Sequence, residues 1–154
     1  MATFVLVHGG GHGGWCFQPL AAILRAEGHL VYAPSLTGLA DRQHLLSAET
    51  DLDMQIEDIA RLMEFEDLCE VILVGYSYGG MVITGAADRT SARTGHLVYL
   101  DAAIPLDGEA LVDVSPGLKA FAANNRVIDG VELGLFPDAA ASAVYGLDGS
   151  PLRD

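Results

Sequence analysis

The sequence predicts an α/β fold: a doubly wound, mostly parallel sheet with helices on both faces. Three observations lead there. The run "FVLV" (4–7) is short, continuous and apolar, the mark of a strand buried on both faces, and "HLVYAP" (29–34), "EVILVG" (70–75) and "HLVYLDA" (96–102) read as further strands. Between them, "FQPLAAILRAEG" and "TDLDMQIEDIARLMEFE" space their apolar residues as helices do. Strands alternating with helices require parallel pairing through right-handed crossovers, and such sheets collect ligands at the carboxyl ends of their strands.

Each element follows in order. The first strand runs directly into the glycine-rich loop "HGGGHGG" (8–14). The helix after it is expected to stop at Gly28, its C-terminal cap. The second strand is ended by Pro34, and residues 35–50 carry turn residues without a period, which reads as a loop over one edge of the sheet. Thr50 or Asp51 caps the helix over 50–66, whose first turns are acidic. The third strand passes straight into "YGGMVITGAADR", a helix, and the fourth strand follows. After about residue 105 the pattern changes to short helical patches between Pro and Gly breaks, with no convincing buried strand. Residues 1–105 are therefore expected to form the core, and 106–154 an excursion above its carboxyl edge, such as a cap.

Composition narrows the function. The chain has 154 residues, enough for one domain and one core. It is 51% hydrophobic and 19% charged, which makes it globular rather than disordered. A net charge of −13 would repel phosphates, so no nucleic-acid partner is expected. No segment reaches the roughly 18 apolar residues of a membrane span. The first strand starts at once, without a basic leader, and the expected compartment is the cytoplasm. Cys16 and Cys69 have no metal-ligand spacing, so the expectation is reduced thiols, no metal and no cofactor.

The chemistry gathers in "VILVGYSYGGMV" (71–82). Gly75-x-Ser77-x-Gly79 on a strand-to-helix corner is a nucleophile elbow: a sharp turn lifts the serine hydroxyl clear of the sheet and leaves room only for small flanking residues. The hydroxyl then stands at a helix N-terminus, and the N–H of Tyr78 points where an oxyanion would form. A second donor can come from His8-Gly9-Gly10-Gly11, where glycines let main-chain N–H groups converge without side-chain obstruction. The N–H of Gly10 is the best placed. A phosphate loop is the weaker reading, because the run lacks the Walker lysine and continues to Trp15. Gly9, His12 and Trp15 are expected to line the substrate pocket.

Taken together, "FVLVHGGGHGGWCFQPLAAIL", "GLADRQHLL", "DLDMQIEDIARLM", "VILVGYSYGGMV" and "VYLDAAIP" resemble the α/β-hydrolase superfamily. More narrowly they resemble the branch of plant methyl esterases, hydroxynitrile lyases and small bacterial esterases. The resemblance covers roughly residues 3 to 106. It implies a Ser77 nucleophile, oxyanion donors at Gly10 and Tyr78, and a small carboxylic ester as substrate. In lyases of this branch a threonine follows the first loop histidine and holds the substrate hydroxyl. Gly9 stands there in this chain, so ester hydrolysis is favoured over cyanohydrin cleavage. A non-catalytic binding module of the same fold is the remaining alternative.

Ser77 needs a base, and the five histidines are the candidates. His8 sits inside the loop motif, where family members use it structurally. His12 precedes Ser77, whereas the fold's chain order is serine, acid, histidine. His29 begins a strand at the far edge of the sheet, and His44 lies in a loop. His96 opens the fourth strand, six residues or roughly 20 Å from the catalytic edge. None fits. The base is therefore expected outside these residues, and the resemblance implies that it and the usual acid lie on two further strand–helix steps of about 30 residues each, in the same protein or on a second chain. Asp101, ending the strand beside the nucleophile strand, is either an alternative acid or a carboxylate satisfied by nearby N–H groups.

Overall fold

A computed structural model describes residues 1–119, 126–128 and 130–133. It divides into two units, Met1–Val114 and Ser115–Asp154. The first runs β1 (Thr3–Val7), α1 (Gln18–Ala26), β2 (Leu30–Tyr32), α2 (Leu52–Phe65), β3 (Val71–Ser77), α3 (Gly79–Arg89), β4 (Thr94–Ala102) and a short α4 (Leu111–Val114). Its sheet has the order β2-β1-β3-β4, with every neighbouring pair parallel. The chain steps outward from β1 to β2, then returns to lay β3 on the other side of β1. That reversal makes a switch point between β1 and β3, where loops diverge and leave a crevice.

The uninterrupted apolar runs follow from burial on two sides. Val5, Val7, Val71 and Leu73 face Ile56, Ile59 and Met63 of α2 and Val82, Ile83 and Ala86 of α3. Their neighbours Leu6 and Val74 point the other way, with Val31, onto Phe17 and Ala21 beside and within α1. Each such large side chain contributes roughly 1.5–3 kcal/mol on leaving water. Helix boundaries obey local chemistry. Pro19 occupies the first turn of α1, where a missing N–H costs nothing, and Gly28 beyond its end has φ +83°. Asp51 is the cap of α2, its carboxylate accepting the Met54 N–H at 2.9 Å. Thr50 instead accepts the Ser47 N–H.

Residues 35–50 are more ordered than the sequence suggests. They contain a 3₁₀ turn over Ala40–Leu45, too short to impose a visible period, and Ser35, Leu36 and Thr37 are buried. β4 begins at Thr94, two residues earlier than expected. It is an edge strand among the described residues, and Leu97, Val98 and Leu100 are 39%, 42% and 46% exposed.

In the second unit a 3₁₀ turn spans Pro116–Leu118, and β5 (Arg126–Ile128) pairs antiparallel with β6 (Val131–Leu133). The sequence reading expected only helical patches here. Asp-Gly between apolar residues is a hairpin signal, and Gly130 has φ +83°. Most of the segment expected to form a cap lies outside the described residues.

Candidate active site

β3 ends at Ser77, on the carboxyl edge of the sheet beside the end of β1. Its φ is +53°, a left-handed conformation costing a non-glycine residue roughly 1–2 kcal/mol. Its side chain is exposed, and α3 begins two residues later with Tyr78 as its N-cap. The flanking glycines are sterically required. A Cβ on Gly75 would stand 2.6 Å from the Gly79 carbonyl oxygen, and one on Gly79 would stand 2.4 Å from that of Val7. The turn is pinned from the other side by Ala103, whose N–H donates to the Ser77 carbonyl at 3.0 Å.

The loop after β1 lies against this corner. A Cβ on Gly9 would fall 3.1 Å from Ser77 Cβ and 3.2 Å from the Tyr76 ring, and one on Gly10 would fall 3.9 Å from Tyr78 Cβ. Gly9, Gly10, Ser77 and Tyr78 thus meet, as the sequence reading requires. Among the described residues neither the Gly10 nor the Tyr78 N–H is engaged by an acceptor. An exposed hydroxyl beside two such amides can present a nucleophile and stabilise an oxyanion.

The histidines are placed elsewhere in the chemistry. His8 is fully buried, and its Nε2 accepts the Leu36 N–H at 3.0 Å. Its proton is therefore on Nδ1, which donates to the Gly9 carbonyl at 2.8 Å. Burial lowers its pKa, so it stays neutral and shapes the loop. His12 meets the Gly10 carbonyl through Nδ1 at 3.0 Å. Its ring lies 6.0 Å from that of Trp15 and 5.9 Å from that of Tyr76. His29 accepts the Ala2 N–H, and His44 is exposed in the 3₁₀ turn. His96 pairs with Ile72, five residues along β3 from Ser77, or about 17 Å. No hydrogen bond joins Ser77 to a histidine among the described residues.

Trp15 is 61% exposed, with Gly13 making room for its ring. The structure groups it with His12 and adds Tyr76, which sequence reasoning passed over; its position directly before Ser77 was the available signal. Asp101 has φ +46° and is the extra residue where pairing slips from Tyr76↔Leu100 to Ser77↔Ala102. The bulge brings it level with Ser77. Asp101 is exposed, and among the described residues no N–H donates to its carboxylate, which goes against one of the two readings, the main-chain-satisfied acid. Burial raises the Cys16 thiol pKa, which disfavours its thiolate.

Tyr78 donates its hydroxyl to Gln55 Oε1 at 2.6 Å. Burial, assisted by the Asp51 carboxylate, pushes its phenol up to about 12. The unfolded chain would release this proton near pH 10. The stability linked to the group is thus intact below about pH 10 and is lost as the pH rises through about 12. A phenolate absorbance titration of the wild type minus that of Tyr78→Phe should step near pH 12.

Among the described residues no cluster of three or more His, Cys, Asp or Glu could hold a metal, and no helix is long and apolar enough to cross a membrane. A parallel sheet with a glycine-flanked serine corner at its switch point defines a class. Residues 4–152 match the alpha/beta hydrolase family, and the chain belongs to it. It is 51% identical over 116 residues to the carbendazim hydrolyzing esterase of Nocardioides sp. (strain SG-4G), covering 75% of this chain and 48% of that protein. It is 38% identical over 103 residues to the alpha-hydroxynitrile lyase of Arabidopsis thaliana, covering 66% of this chain and 40% of that protein. Among solved structures, a methylesterase from Arabidopsis matches with a TM-score of 0.74 at 26% identity, covering 100% of this chain and 62% of that one. The chain spans half or less of the length of these curated relatives.

Proposed function

We propose that the chain carries the nucleophile and the oxyanion donors of a serine esterase acting on a small carboxylic ester. The observation that carries this reading is an exposed Ser77, strained to φ +53°, against which the Gly9–Gly10 loop is packed. Ser77 Oγ attacks the ester carbonyl carbon while a base takes its proton. The carbonyl electron pair moves onto oxygen, which accepts hydrogen bonds from the N–H groups of Gly10 and Tyr78. Each donor of this kind is worth about 10²–10³ in rate. Collapse of the intermediate breaks the bond to the alcohol, which leaves with the base's proton. Water then adds to the acyl-enzyme by the same route and restores Ser77.

The base and its acid come from a segment outside residues 1–154, in the same protein or on a second chain. Three observations support this: the placement of the five histidines, the coverage of relatives, and the position of β4 at the sheet edge among the described residues. Asp101 is the reserve candidate for the acid, being level with Ser77. The relative named for hydrolysing carbendazim as an esterase, and the methylesterase among the structural matches, favour ester substrates. The lyase reading is disfavoured at Gly9. That position offers no hydroxyl, and a side chain there would meet Ser77 and Tyr76 within 3.3 Å.

Treatment of the whole protein with a fluorophosphonate, followed by intact mass and peptide mapping, tests the proposal. One adduct on Ser77, absent from Ser77→Ala, is the expected result. No adduct rejects the enzyme reading in favour of a binding module, and cyanide release from a cyanohydrin would favour the lyase.

A further inference from the structure

Ser35, Leu36, Thr37 and Gln55 play no part in the chemistry above, yet their exposures are only 8%, 0%, 6% and 7%. Buried polar groups persist where their hydrogen bonds are complete, and here those bonds run to two sides of the site. The Ser35 hydroxyl accepts the Gly14 N–H at 3.0 Å. The Leu36 N–H donates to His8, which in turn holds the Gly9 carbonyl. The Thr37 carbonyl accepts Gln55 Nε2 at 2.9 Å, and Gln55 Oε1 accepts the Tyr78 hydroxyl at 2.6 Å. Three consecutive residues thus grip the β1 loop on one side and the serine corner on the other.

The tie is itself anchored. Asp58 accepts both the Thr37 N–H at 2.6 Å and the Thr37 hydroxyl at 2.9 Å. Arg42 pairs with Asp58 at 3.0 Å and donates to the Ser35 carbonyl at 3.2 Å. The amide of Gln55 has one orientation available. Thr37 offers a carbonyl, which can only accept, so Nε2 must face it and Oε1 is left for Tyr78. A hydrophobic residue of the same size could fill the space but could not join the two ends.

We propose that Ser35–Thr37 is a tie that sets the separation of the two oxyanion donors, and that Gln55 is the positioning residue coupling it to Tyr78. This rests on the esterase reading for the roles of Gly10 and Tyr78. Oxyanion donors act by being in place before charge develops, and small misplacements cost rate rather than binding. Gln55 touches neither substrate nor the reacting atoms.

The test uses the whole protein with Gln55→Leu and Gln55→Glu. The leucine breaks both ends of the link. The introduced carboxyl, when protonated, accepts from Tyr78 and donates to the Thr37 carbonyl as the amide does; when ionised it cannot donate. In Gln55→Leu the covalent rate constant with a fluorophosphonate should fall about tenfold or more, with reversible affinity for the probe altered less than about threefold. Gln55→Glu should match the wild type at low pH and fall to the leucine level as the carboxyl ionises, a step the wild type lacks. The amide resonances of His8, Gly14 and Tyr78 should move together in Gln55→Leu. An unchanged covalent rate in folded Gln55→Leu overturns the proposal, as does movement of Tyr78 alone. Failure to label wild-type Ser77 rejects the esterase reading, and the tie itself is then decided by the amide shifts. Should Gln55→Leu fail to fold, the pH step in Gln55→Glu decides.

Discussion

Replacing Ser77 with alanine is expected to lower kcat for ester hydrolysis by the whole protein about five to six orders of magnitude. Its melting temperature should stay within about 2 °C of the wild type, because the lost hydroxyl is exposed. Ser77→Gly should be equally inactive but more stable, by roughly 0.5–1 kcal/mol. Glycine adopts φ +53° without the Cβ clash, and the gain is what remains after its larger entropy loss. An ester assay with thermal unfolding of the three proteins checks both statements. Turnover retained by Ser77→Ala would remove this residue from the mechanism.

Gly79→Ala should damage fold and site together. The added methyl would stand 2.4 Å from the Val7 carbonyl oxygen and 2.9 Å from that of His8. Both are main-chain atoms of a central strand and its exit, so no flexible side chain can give way. The cost is expected to be about 3 kcal/mol or more, read as a lower urea midpoint. Activity should fall as well, since pushing α3 from β1 carries the Tyr78 N–H away from Gly10. Gly28→Ala is the control. It has φ +83° but nothing within 4 Å, so it should cost only about 1 kcal/mol and leave activity intact. A wild-type midpoint for Gly79→Ala would refute the steric account of the motif.

What could be read in the sequence was what local physics writes there. Strands buried on both faces must be apolar throughout, so β1 and β3 were plain. The serine corner needs small residues two positions to either side, so Gly75, Ser77 and Gly79 announced it. The juxtaposition of Gly9–Gly10 with Tyr78 followed from parallel β1 and β3 ending side by side. The link from Tyr78 to Gln55 spans 23 residues and leaves no local trace in either stretch. Ser35 and Thr37 carry turn-forming side chains, and their burial depends on α2 and the β1 loop arriving around them. The bulge at Asp101 comes from one strand outrunning its neighbour by a residue, a matter of pairing rather than composition. The β5–β6 hairpin differs from these, because its Asp-Gly signal was present in the sequence.

Among the described residues β4 forms the margin of the sheet. Leu97 and Val98 are consecutive, so they project to opposite sides, and both are more than a third bare. A helix laid along that flank would shield grease on one side while sealing main-chain amides and carbonyls away from water with no mate. A further strand, bringing its own packing layers above and below, meets the polar and the oily demands at once.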